Sequence, residues 1–154
     1  MTAKAPTIRN RKALHNYFVE ERFEVGIVLR GTEIKSIRES QISLAEAWVD
    51  VSDKMELWLV GAHINEYKYS AHAVHDSVRR RKLLAHRHEI VKMHKAVQLR
   101  GLTIVPLKLY FKNRRAKLEI GICRGKGDRD RRQDVFKREA KREMDREMKR
   151  ANFR

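Results

Sequence analysis

Two alternating apolar runs separated by a two-residue turn, between Thr103 and Ile122, leave this chain few folds that lack a half-buried antiparallel hairpin. In TIVPLKLYFK, Val105, Leu107, Leu109 and Phe111 are expected to share one face, with Lys108, Tyr110 and Lys112 on the other. Asn113 and Arg114 supply the turn. Leu118, Ile120 and Ile122 then resume the apolar face opposite Lys117 and Glu119. One face of this hairpin seals a core, and the other shows cations around an aromatic ring. Pro106 has no N–H to give a ladder, so it belongs at an edge or a bulge.

Upstream, Phe18, Phe23, Val25, Ile27 and Leu29 recur at spacings close to two, which predicts a long first strand kinked at Gly26. Ile34 and Ile37 within GTEIKSIR predict a short helix over Gly31 to Arg38, with Thr32 as its cap. Ala45 to Val51 and Glu56 to His63 read as strands joined by a turn at Ser52 to Lys54. Tyr67 to Asp76 reads as a histidine-rich loop. His86 to Leu99 reads as a helix that Gly101 stops. The fold class expected is mainly β: a small OB-like antiparallel barrel of about six strands, flanked by short helices. A flexible terminus over residues 1–8, a barrel over 9–124 and a basic tail over 125–154 complete the expected organisation.

Charge narrows the function. The 154 residues carry a formal net charge of +16, and it is not spread evenly. Residues 1–78 sum to −1, residues 79–118 to +12, and residues 124–154 to +6. Solubility alone needs no such segregation, whereas phosphate binding does. Cys123 is the sole cysteine, which excludes a disulfide scaffold. No apolar run approaches the roughly 18 residues of a membrane span, and Met1 to Arg11 does not resemble a signal peptide. A cytoplasmic, monomeric protein with a polyanionic partner and no membrane is the expectation.

Other chemistries find no support. His72, His75, His86 and His88 lack the short-spaced pairing of zinc ligands. Asp128, Asp130 and Asp134 sit among arginines, where ion pairing explains them better than magnesium. Gly121, Gly125 and Gly127 do not form a phosphate-binding loop motif. The chain therefore reads as a non-enzyme without metal or cofactor. Lys108, Tyr110 and Lys112 offer phosphate contacts beside a stacking surface, which suits RNA. Glu24 is out of place on such a surface unless it accepts hydrogen bonds from base or sugar donors; the alternative is an ordinary ion pair with Arg22 or Arg38.

The tail follows other rules. Val135, Phe136, Ala140, Met144, Met148 and Ala151 form one thin helical stripe among many charges. Opposite charges at i,i+3 and i,i+4, such as Asp134 with Arg138 and Glu143 with Arg146, add about 0.2–0.5 kcal/mol each against the cost of nucleation. A tail disordered until bound, and helical on its target, is expected; a permanently docked helix is the alternative.

These residues also resemble a known family. Asn10-Arg11-Lys12-Ala13, His15, Tyr17-Phe18, FEVGIVLRGTEIKSIR, RRRKLL, VPLKLYFK, GICRGKG and the basic tail occur in the order found in SsrA-binding proteins, the bacterial small protein B family. The resemblance implies a barrel that binds the tRNA-like domain of transfer-messenger RNA and delivers it to stalled ribosomes for trans-translation. It implies RNA-contacting or surface-shaping roles for Asn10, His15, Tyr17, Glu24 and Leu84. It also implies that Asp130-Arg131-Arg132 meets the decoding centre and its 16S ribosomal RNA while the tail enters the empty message channel. Arg131 stands where the family usually has lysine, and Arg129 where an aromatic or histidine is common. A general structural RNA-binding or ribosomal protein with a basic extension is the competing reading.

Overall fold

A computed structural model describes residues 4–69 and 75–152. Nine strands and four helices follow in the order β1 (Ile8–Arg9), α1 (Arg11–Asn16), β2 (Tyr17–Ile27), α2 (Gly31–Arg38), β3 (Ile42–Ser43), β4 (Trp48–Val51), β5 (Leu57–Val60), β6 (His63–Ile64), β7 (Arg81–Leu84), α3 (Arg87–Arg100), β8 (Thr103–Lys112), β9 (Arg115–Gly125) and α4 (Asp128–Asn152). Seven strands form one antiparallel sheet in the order β1-β8-β9-β2-β7-β5-β4, and β3 pairs with β6 apart from it. The sheet curls until β4 lies against β8, which makes a partly open, OB-like barrel. Asn10 spans the seam: its Nδ2 donates to Leu44 O at 3.0 Å and Pro106 O at 2.8 Å, while its Oδ1 caps α1 through Ala13 N.

Two bulges organise the sheet. In β2 the register with β9 shifts between Val19 and Glu21, so Glu20 is the extra residue. In β8 it shifts between Pro106 and Lys108, so Leu107 is extra. Each extra residue reverses which face the following side chains take. Leu109 and Phe111 therefore point at the main core with Phe23, Val25, Leu118, Ile120 and Ile122, whereas Val105 and Leu107 lie on the opposite face under α1. There they join Ala13, Cys123, Tyr17 and Val19 in a second apolar cluster. The sequence reading put all four β8 residues on one face; the bulge beside Pro106 divides them two and two. The β2 bend also lies at Glu20 and not at Gly26, which stays paired with both Leu84 and Lys117.

Other expectations shift for similar local reasons. Thr32 does not cap α2, because its hydroxyl meets His75 Nδ1 at 2.9 Å; Glu33 takes that task by accepting from Arg30 N at 2.9 Å. Ala45 and Glu46 form a turn, so β4 begins only at Trp48. Gly61 breaks the next strand at φ 79°, and a Cβ there would lie 2.6 Å from Glu46 O. Ile8 is not loose but pairs with Leu109. Part of the histidine-rich loop, including His72, lies outside the described residues, whereas His75 is buried and donates through Nε2 to Ile64 O at 3.0 Å.

A buried ion pair ties α2 to β7. Glu33 and Arg81 are both fully buried. Arg81 Nε donates to Glu33 Oε2 at 2.7 Å, and its remaining nitrogens reach the carbonyls of Ala62, Asp76 and Ser77. Arg79 donates to the other carboxylate oxygen. Burial alone would raise the Glu33 carboxyl; donors from Arg79, the Arg30 backbone and Arg81 outweigh it and hold the pKa below its ordinary value. No sequence periodicity marks this pair.

The tail is one helix over Asp128–Asn152 with no buried residue. It starts seven residues before the apolar stripe, so Asp130, Arg131 and Arg132 fall in its first turn and a half. Among the described residues the one ion pair within it is Arg131 to Asp128 at 3.1 Å, and none of the other i,i+3 or i,i+4 partners read from the sequence closes within 4.0 Å.

Candidate nucleic-acid interface

The outer faces of β2, β9 and β8 lie side by side because register aligns Glu24 with Glu119 and Glu119 with Lys108. One row of polar groups crosses all three strands. Lys112 Nζ lies 3.5 Å from Glu24 Oε1, and the Tyr110 hydroxyl donates to Glu24 Oε2. Lys108 Nζ lies 5.3 Å from the Tyr110 ring centroid and 3.7 Å from Glu119 Oε2. Arg22 donates to the other oxygen of Glu119 at 2.7 Å. Glu24 thus does not pair with Arg22 or Arg38, the partners considered for it from the sequence.

The electrostatics follow from these contacts. The Tyr110 hydrogen bond, then Lys112 and Lys117, hold the exposed Glu24 carboxyl below its ordinary range. Partial burial, reinforced by the Glu24 charge, pushes the Tyr110 phenol well above its usual value, so it stays a donor at any physiological pH. Beside this row runs a groove floored by Ile27, Leu29 and Phe111 and edged by Leu84, which is 55% exposed. Arg114, Arg115 and Lys117 also line it, and none of the three pairs with an acid among the described residues. An apolar floor beside unpaired cations can take a nucleobase and its phosphates together.

The structure brings Glu24, Leu84, Lys108, Tyr110 and Lys112 into this one region. Asn10 caps α1 from the residue before it, beside β8, and His15 and Tyr17 lie in and after α1 at the opposite end of β2. Asn10 is 3% exposed, with both amide hydrogens committed to internal carbonyls. Tyr17 is half-buried against the second cluster, and His15 occupies the last turn of α1.

Sequence reasoning missed the junction between barrel and tail. Lys126 N donates to Asn16 O at 2.8 Å, and Lys126 Nζ reaches Leu14 O at 3.3 Å and pairs with Asp134. Its side chain is only 8% exposed, and its ammonium sits 4.9 Å from the Phe18 ring centroid, with Arg124 at 5.0 Å. Lys126 holds the Asp134 carboxyl below its ordinary pKa. The available signal was the strand YFVEERF, whose adjacent acids at Glu20 and Glu21 interrupt its alternation and free Phe18 from the core. Cys123 lies within β9, inside the second cluster; burial pushes its thiol up to about 11, so it is not a nucleophile at neutral pH. Among the described residues no three His, Cys, Asp or Glu side chains gather to hold a metal ion.

Comparison with known proteins covers both modules. The family model described as SmpB protein matches residues 7–150. An SsrA-binding protein of Dehalococcoides mccartyi is 50% identical over 145 residues, spanning 94% of this chain and 84% of the relative. One from Desulfitobacterium hafniense is 48% identical over 137 residues, 89% of this chain and 87% of its own. One from Bifidobacterium longum is 44% identical over 153 residues, 99% and 97% respectively. A solved structure described as "tmRNA-SmpB: a journey to the center of the bacterial ribosome" contains a similar chain. Its TM-score is 0.68 at 38% identity, covering 85% of this chain and 95% of that one.

Proposed function

This chain belongs to the SsrA-binding protein family, and we propose that its two modules divide the work of ribosome rescue between them. The protein binds transfer-messenger RNA and delivers it to stalled ribosomes for trans-translation. The barrel grips the tRNA-like domain. The outer row from Arg22 to Lys112 and the groove at Leu84 meet folded RNA, whose shape and phosphates suit a cationic, concave surface. Asn10 keeps the seam closed behind this surface, and His15 and Tyr17 extend it toward the tail.

The tail does the second task. Asp130, Arg131 and Arg132 open a helix that buries nothing of its own, so its apolar stripe and charges are free for ribosomal RNA in a message channel with no message. A helix with one internal ion pair gains little without such a partner, which supports a tail that is unfolded in solution and helical on the ribosome. Lys126 fixes the point from which it departs.

The observation that carries this reading is the division of burial: among the described residues every core residue belongs to residues 8–125, and none to α4. It is tested by sequencing the RNA that co-purifies with the full chain. One dominant species with a tRNA-like end is expected. A mixture of ribosomal fragments without preference would point instead to a general structural RNA-binding protein.

A further inference from the structure

Tyr110 enters the candidate interface as an aromatic able to stack on a base. Its contacts give it another task. One face of its ring is occupied by Lys108, 5.3 Å from the centroid, and its hydroxyl is committed to Glu24 Oε2. Glu24 is exposed on a basic face, where an acid repels the phosphates that the neighbouring cations attract. On a free stem it would also sample several rotamers. Tyr110 and Lys112 remove that freedom, one at each carboxylate oxygen.

A carboxylate offers about four lone-pair sites, so one donor on each oxygen leaves acceptors open in fixed directions. A phosphodiester carries no hydrogen to give them. Only an N–H or O–H of the RNA can satisfy Glu24, from a base edge or a ribose 2′-hydroxyl. We infer that Tyr110 is a positioning residue: its hydroxyl aims Glu24 at a hydrogen-bond donor on the RNA, so that this one acid sets register on a surface whose cations set only affinity. The inference rests on the reading of this face as the RNA interface, and the experiment separates the two.

The full chain, Tyr110→Phe, Glu24→Gln and the double variant are titrated against the tRNA-like domain of transfer-messenger RNA over a salt series. Phe keeps the ring and the net charge. Tyr110→Phe is expected to weaken binding about three- to tenfold, with the salt slope unchanged because no phosphate contact is lost. The double variant is expected to bind no worse than Glu24→Gln alone. Wild-type affinity in Tyr110→Phe, or losses that multiply in the double variant, would overturn the inference. A folding defect is distinguished in the same set, since it would still weaken binding in the Glu24→Gln background. A wild-type chain without preference for this RNA would instead refute the interface reading. Transcripts with 2′-deoxy residues assign the donor. A Glu24 dependence that vanishes in them places it on a ribose, one that persists places it on a base, and either outcome supports the inference.

Discussion

Replacing Glu33 with glutamine changes one oxygen to an amide and leaves the volume of the side chain intact, yet it should be among the most damaging single changes in the barrel. Glu33 accepts from Arg30 N at 2.9 Å, Arg81 Nε at 2.7 Å and Arg79. The amide would turn a donor toward one of these donors and leave the fully buried Arg81 guanidinium without its counter-charge. Removing one partner of a buried pair costs roughly 3 kcal/mol or more. For a chain of this size that lowers the melting midpoint by about 10 °C. Thermal unfolding followed by circular dichroism at neutral pH measures it directly.

The pH dependence has a defined sign. Glu33 holds its proton less tightly when folded than its ordinary value of 4.5, so its contribution is complete above that value and is lost as pH falls through the lower folded value. The gap between wild type and Glu33→Gln should therefore be constant near neutrality and shrink on acidification. Replacing both partners with apolar residues should recover only part of the loss, because the carbonyls of Ala62, Asp76 and Ser77 would lose the guanidinium they share. A midpoint within about 2 °C of wild type would refute the assignment of this pair as the tie between α2 and β7.

Three further outcomes follow from the same contacts. Glu24→Ala should weaken binding to transfer-messenger RNA in a filter-binding titration although it makes the protein more positive, and a gain in affinity would mark Glu24 as a mere surface charge. Gly61→Ala should cost at least about 2 kcal/mol in chemical denaturation, since its φ of 79° and the 2.6 Å approach to Glu46 O both exclude a Cβ. A peptide of residues 128–152 should show little helix by far-UV circular dichroism at room temperature; a fully formed helix would refute the coupling of tail folding to binding.

Much of this architecture was readable in the sequence, and the exceptions share a cause. The turn at Asn113-Arg114, the C-terminal stop at Gly101 and the inward set Leu118, Ile120 and Ile122 depend on local chemistry and simple period, and each stands in the structure. Val105 and Leu107 did not follow, because a bulge adds one residue and reverses the alternation without changing the pattern of apolar letters. Gly121 lies between the two bulges, where a Cβ would come within 3.0 Å of both Leu107 and Val19; its place in the middle of a strand was the visible trace of that crowding. Glu33 and Arg81, 48 residues apart, meet only through tertiary packing, so no window of sequence contains their pairing. In the candidate interface, Glu24 and Tyr110 were legible as unusual residues but not as partners, since strand order sets their proximity.

On the proposed function, the barrel binds RNA on its own while α4 serves only on the ribosome. Deleting residues 131–154 and measuring, on one preparation, affinity for the tRNA-like domain and tagging on stalled ribosomes tests both halves together. RNA affinity close to that of the full chain and no tagging are expected. RNA binding that disappears with the helix would contradict this, because the helix would then be part of the grip itself.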